Sequence, residues 1–162
     1  MLSQKELKKY LYYSPSTGDF VWVKGRGSAR IGSIAGFIEK EHGYRIIRIF
    51  KRNYRASRLA WFYMTGEWPK DQVDHWNRKR ADNRWKNLRP ATESQNHANQ
   101  TLHCDSWVGL KGVTRRGHYN KWRSRIVVRG KEIHLGMFNS PKKAHRAYAT
   151  AARHYFGEYA HV

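Results

Sequence analysis

The chain has 162 residues, with 32 Lys+Arg against 12 Asp+Glu and a formal net charge of +20. That length suits one or two small domains and excludes a barrel of about 250 residues. Seven Trp, ten Tyr and six Phe exclude a disordered basic tail, which is poor in aromatics. A folded chain tolerates so much self-repulsion when its usual partner is a polyanion, so nucleic acid leads the possible partners. No apolar run reaches the roughly 18 residues of a membrane span, and no membrane association is expected. The N-terminus shows no apolar core ahead of a small-residue cleavage site, so a secretory signal is not expected. Cys104 is the only cysteine. It excludes an intrachain disulfide and zinc sites built on two or more thiolates, and it suits a reducing, intracellular setting.

The charge is spread along the chain. Residues 1–104 hold 20 Lys+Arg against 9 Asp+Glu, and residues 105–162 hold 12 against 3. Both stretches are also rich in Trp and Tyr, so two folded domains with a boundary at 104/105 are expected, each touching the polyanion.

Ser3 followed by Glu6 fits a capping box, and Leu7, Tyr10 and Leu11 share one face of a short opening helix. Ser16-Thr17-Gly18-Asp19 reads as a turn, with a strand from Phe20 after it. Residues 25–33, rich in Gly, Ser and Arg, read as a flexible basic loop, and residues 44–50 have the β-branched density of a strand. Residues 58–64 read as a buried helix ended by Thr65-Gly66, with Pro69 blocking its continuation. Residues 73–99 carry little apolar content and many Asp, Asn, Arg and His, which argues against a core element and for a functional one. Thr92 and Gln95 form another capping box and start a helix that puts Asn96 and Asn99 on neighbouring turns.

Beyond residue 105 the grammar changes. A strand opens at Val113. Residues 122–128 alternate, with Trp122, Ser124, Ile126 and Val128 on one face and Arg123, Arg125, Val127 and Arg129 on the other. Arg129-Gly130 makes a tight turn into a third strand over residues 132–135. Ser140-Pro141 starts a helix whose stripe of Ala144, Ala147, Tyr148, Ala151, Ala152 and Tyr155 ends at Gly157. The expected class is α+β: a β-rich N-terminal segment, a polar functional stretch, then three antiparallel strands on one helix. One sheet face is buried, and the arginine face is left open.

Asp74-His75 followed by Asn87 and Asn96 is the constellation with possible chemistry. A carboxylate and an amide oxygen suit Mg2+ or Mn2+ better than zinc. His75 could take a proton from water while Asp74 holds the metal, the division of labour that phosphodiester hydrolysis requires. By itself an Asp-His pair also reads as a hydrogen-bonded surface pair.

The neighbouring residues add to this. Residues 58–96 contain a hydrophobic helix ending in Gly66-x-x-Pro69, then Asp74-His75, Asp82-Asn83-Arg84, Asn87-Leu88-Arg89 and Thr92-x-x-x-Asn96. This run resembles phage-type HNH homing endonucleases, the ββα-metal nucleases, and TGDFVWV and GYRII upstream resemble their N-terminal portion. The resemblance implies a DNA endonuclease using one Mg2+ or Mn2+ ion, with Asp74 and Asn96 as metal ligands and His75 as general base. Asn87 is implied as the asparagine that stabilises the loop presenting the histidine. The resemblance implies a 5′-phosphate product; a single active site in a monomer favours a nick, and a dimer or a second binding orientation would allow both strands to be cut. Ser57 departs from the pattern, since many relatives have His there. His97 and His103 read either as alternative ligands or bases, or as exposed histidines near phosphate.

Residues 109–161, with GLKGVTRR, KWRSRIVV, IHLGMF and FGEYA, resemble the APETALA-two/ethylene-response-factor DNA-binding domain. That resemblance implies a sheet lying in the major groove of double-stranded DNA. Its contacts fall on Lys111, Arg116, His118, Arg125 and His134, with Arg123 and Arg129 beside them. Tryptophans used by the plant domains fall on His118 and His134, so the binding mode is implied and the sequence read is not. No protein partner is implied. A non-cleaving DNA-binding regulator is the alternative reading, with a structured-RNA binder behind it.

Overall fold

The structure is a computed structural model that describes residues 2–25, 29–102, 108–117 and 120–162. Helices and strands are both present, as an α+β class requires, and the chain divides into two compact units, Met1–Ala91 and Thr92–Val162. This division falls earlier than the 104/105 boundary read from the sequence. The reason is packing: Ala98 is buried in the second unit's hydrophobic cluster.

In the first unit, α1 (Gln4–Tyr10) starts at Ser3, whose hydroxyl accepts from the Glu6 amide while the Glu6 carboxylate receives the Ser3 amide. The chain turns directly into β1 (Leu11–Tyr13), which pairs antiparallel with β2 (Phe20–Trp22). Three further strands, β3 (Phe37–Ile38), β4 (Arg45–Ile49) and β5 (Arg52–Arg55), form an antiparallel sheet with β4 in the centre. The amphipathic α2 (Ala56–Thr65) packs on α1, β4 and β5, and ends at Gly66 in the left-handed conformation, φ 82°. Leu7, Leu11, Phe20, Ile47, Leu59 and Ala60 are fully buried and form the centre of this core. Of the stretch 25–33 expected to be a flexible loop, residues 29–33 are held by backbone hydrogen bonds. Gly32 donates to the Trp22 carbonyl and Trp22 to that of Ser33, and Ile34 bridges to Val21.

The polar stretch contributes β6 (Gln72–His75) and β7 (Leu88–Ala91), an antiparallel ribbon against α2. Sequence composition argued against core elements here. The structure corrects this: Val73 and Leu88 join the hydrophobic core, and Asp74, His75, Asn83, Asn87 and Arg89 are buried with them. Burial is tolerable because these polar groups bond to one another, as shown below.

The turn between β1 and β2 holds that stretch from outside. Pro15 accepts from the Trp85 amide at 2.9 Å, and the Tyr13 hydroxyl donates to the Asn83 carbonyl at 2.6 Å. Gly18 sits in this turn at φ 83°, and a Cβ there would lie 2.4 Å from the backbone of Asn83 and Arg84.

In the second unit, α3 (Glu93–Asn99) starts at the Thr92/Gln95 capping box. The strands β8 (Val113–Arg116), β9 (Lys121–Val128) and β10 (Lys131–Phe138) form an antiparallel sheet with β9 in the centre. β9 and β10 are joined by Arg129 and Gly130, both at positive φ, the geometry of a two-residue hairpin turn. α4 (Pro141–Phe156) lies on this sheet, burying Ala144, Tyr148, Ala152 and Phe156, with Ile126 of β9 in the same core.

Two glycines separate conformational strain from steric exclusion. Gly66→Ala, whose nearest side-chain atom is 3.6 Å away, is expected to cost about 1 kcal/mol from the left-handed backbone alone. Gly18→Ala adds an overlap with backbone and is expected to cost about 3 kcal/mol. Urea unfolding of both variants checks this, and equal costs would contradict the close approach of the turn to Asn83.

Candidate active site

The β6–β7 ribbon sets Asp74 opposite Arg89 and His75 opposite Leu88. Arg89 donates from Nε to Asp74 Oδ2 at 2.8 Å, and both side chains are buried. A buried carboxylate without a cationic partner would be costly, and the Arg89 bond both pairs it and sets its direction. The Arg89 guanidinium also lies 4.5 Å from the ring centre of Trp76, which is 56% exposed.

His75 is 4% exposed, and its Nε2 lies 3.1 Å from Asn83 Oδ1. Asn83 is itself buried and donates from Nδ2 to the Ala81 carbonyl at 3.1 Å, which fixes its amide orientation. An amide oxygen only accepts, so the imidazole carries its proton on Nε2 and keeps its lone pair on Nδ1. Burial pushes the His75 pKa below the ordinary histidine value, and Arg80 acts in the same direction. The bond to Asn83 and the charges of Asp74 and Asp82 oppose the shift without reversing it. The result is a neutral imidazole with a defined tautomer.

Asn87 acts on the loop rather than on the ring. Its Oδ1 accepts from the Asn77 amide at 2.9 Å, its Nδ2 donates to the Asp82 carbonyl at 2.7 Å, and its carbonyl accepts from Trp76. Sequence reasoning gave a role to Asn87 and none to Asn83, although the Asp82-Asn83-Arg84 run was in view. Only the path of the loop shows which asparagine turns onto the imidazole. Asp82 closes the loop by accepting from Arg84 Nε and from Asn77 Nδ2, each at 2.7 Å.

A cationic group borders this pocket of polar side chains. Tyr44 lies 5.9 Å from the His75 ring, with the Arg55 guanidinium 4.2 Å and that of Arg80 5.2 Å from the Tyr44 ring centre. Arg80 is tied by a bond to the His42 carbonyl. Ser57, standing where many of the resembled nucleases have His, is 2% exposed at the start of α2 and occupies a packing position.

Residues 54–98 match the model of the HNH endonuclease family. No curated protein matches the chain. The HNH match runs from the end of β5 through α2, the β6–β7 ribbon and most of α3, and so takes in Asp74, His75, Asn87 and Asn96. It supports a nuclease, a phosphodiester hydrolase acting on DNA. Among the described residues, no group of three or more His, Cys, Asp or Glu side chains is placed to hold a metal ion.

The remaining sequence candidates lie in the second unit. Asn96, the last residue of the HNH pattern, is half-buried on α3, and His97 on the same helix is exposed beside Glu93. On the sheet, Arg123 and Arg125 of β9 both bond to Glu132 of β10, a partner that sequence reasoning did not identify. His134 stands opposite Arg125 and is exposed. Arg129 is exposed in the hairpin turn and donates its amide to Ser94 Oγ. Arg116 closes β8, opposite Lys121. Lys111 turns its ammonium inward, donating to the carbonyls of Ala98 at 2.8 Å and His161 at 2.9 Å. His118 and His103 lie outside the described residues.

Asp82 gives this site a pH signature in stability. Hydrogen bonds from Arg84, then Asn77, pull its pKa from 3.8 to about 2. A lowered carboxyl pKa stabilises the fold above the unfolded value, and that stability is lost as pH falls through the folded one. Asp82→Asn is therefore expected to remove up to about 2 kcal/mol at neutral pH and to flatten the decline between about pH 4 and pH 2. Unfolding free energy measured against pH checks this, and an unchanged acid limb would contradict it.

Proposed function

We propose that the protein is a metal-dependent, site-specific DNA endonuclease of the HNH homing type, nicking one strand, with a C-terminal sheet that reads the major groove. The observation that carries this reading is His75: a buried, neutral imidazole, fixed on Nε2 by Asn83, beside an arginine-paired Asp74 inside the HNH match.

The donor set fits a hard divalent ion. Asp74 supplies a carboxylate aligned by Arg89, and by the family's pattern Asn96 supplies an amide oxygen. So few protein oxygens suit Mg2+ or Mn2+, which keep water and phosphate as their other ligands. When bound, such an ion stabilises charge on the scissile phosphate and on the leaving oxygen. The chain's own residues do the rest. His75 Nδ1 is assigned to accept a proton from the attacking water, and Asn83 holds the ring through the opposite nitrogen, Nε2. Asn87 braces the loop behind it, and Arg55 and Arg80 supply positive charge for the neighbouring phosphates. Attack by water with loss of the 3′ oxygen leaves a 5′-phosphate.

The second unit supplies site choice. Arg123, Arg125, Arg129, Arg116, His118 and His134 are assigned to the DNA-facing surface on their resemblance to the plant domain, and arginine matches the guanine edge. Lys111 is assigned to tying α3 and the C-terminal segment together, since two carbonyls already receive its ammonium.

The test is strand nicking of supercoiled phage or host DNA with Mg2+ and with EDTA. His75→Ala is expected to reduce the metal-dependent rate by about 100-fold or more. Arg125→Ala is expected to scatter the cleavage sites while saturating DNA is still nicked. No nicking above the His75→Ala control across many sequences would overturn the nuclease reading in favour of a non-cleaving DNA-binding regulator.

A further inference from the structure

The open face of the β8–β10 sheet carries a carboxylate among its arginines. Arg123 and Arg125 are two residues apart on β9 and therefore project to the same side. Glu132 stands on β10 opposite Val127, the next residue of that series. One of its oxygens receives Arg123 Nη2 and the other receives Arg125 Nη1, so one carboxylate clasps both guanidinium groups. The Arg125 bond, with Arg123 beside it, holds the Glu132 pKa below the ordinary glutamate value. The three side chains are 22%, 45% and 36% exposed, so the clasp lies open to a ligand.

An acidic group here is costly for plain polyanion binding. The chain has only 12 Asp+Glu against 32 Lys+Arg, and this one faces the surface assigned to DNA. Its charge repels phosphate and cancels part of the attraction that the two arginines would exert on any sequence. Its geometry has the opposite effect on base recognition. Arginine loses considerable rotamer freedom when it binds, and a guanidinium held in advance loses less. Each guanidinium has five N–H donors, and the clasp takes one from each.

We propose that Glu132 is the selectivity-setting residue of this face. It positions Arg123 and Arg125 for guanine edges in the major groove of duplex DNA, and it weakens their hold on phosphate alone. This inference rests on the reading of the sheet as a DNA surface.

The experiment compares full-length wild type, Glu132→Gln and Arg125→Ala in EDTA, which uncouples binding from cleavage. Each is titrated with a random-sequence duplex pool and with a duplex selected from that pool by the wild type. Glu132→Gln keeps the size and removes the charge. It is expected to bind the random pool about threefold tighter, with a log-log salt slope steeper by about 1. The selected-to-random affinity ratio is expected to fall about tenfold or more. A merely structural ion pair would instead lower both affinities together or move neither, and either result overturns the proposal. Arg125→Ala separates the two levels. If it weakens selected-site binding while Glu132→Gln leaves the ratio unchanged, only the role of Glu132 falls. If neither variant moves any affinity, the sheet does not meet DNA and the reading beneath the proposal falls too. Thermal melts of each variant, expected within a few degrees of wild type, establish that all three proteins are folded.

Discussion

A histidine buried among polar side chains can serve as a base only if its other nitrogen is held by an acceptor that does not itself move. In this protein that acceptor is Asn83 Oδ1, 3.1 Å from His75 Nε2. Much of the first unit is arranged around keeping Asn83 where it is. Tyr13 donates to its carbonyl, the Ala81 carbonyl orients its amide, and the turn at Gly18 lies too close to its backbone to admit a Cβ. Asn87, Asn77, Asp82 and Arg84 close the loop from the other side. The N-terminal hairpin, remote in sequence from any chemistry, is thus part of the support of the site.

The same physical problem, fixing a charged group before a substrate arrives, recurs in each unit. Arg89 fixes Asp74, and Glu132 fixes Arg123 and Arg125. In the first case a cation pairs with a buried carboxylate, and in the second a carboxylate pairs with two arginines of the open sheet face. The net charge of +20 brings a polyanion close, but charge alone has no direction. These opposed pairs supply direction, and they do so where the proposed chemistry and the proposed reading need it.

Local spacing was readable from the sequence, and long-range choice was not. The Ser3/Glu6 and Thr92/Gln95 capping boxes, the helix ended by Gly66 and the alternation of β9 all depend on neighbours within a few residues, and the structure shows each of them. The burial of the polar stretch was missed because composition counts Asp, Asn and His as exposed, whereas a closed set of hydrogen bonds makes their burial tolerable. Sequence reasoning singled out Asn87 and passed over Asn83, the asparagine that meets the imidazole. Tyr13 and Gly18, distant in sequence, both lie against the Asn83 backbone, a contact that local spacing does not reveal. On the sheet, a period of two residues cannot show that one carboxylate, Glu132, spans two guanidinium groups.

The central claim is that Asn83 leaves His75 as a neutral imidazole with its lone pair on Nδ1. Ring-nitrogen NMR shifts of His75 in protein carrying isotope-labelled histidine test it most directly. At neutral pH the structure predicts one protonated nitrogen, Nε2, and one unprotonated nitrogen, Nδ1, with that pattern lost in Asn83→Ala. A proton on Nδ1, or on both nitrogens, would contradict the account.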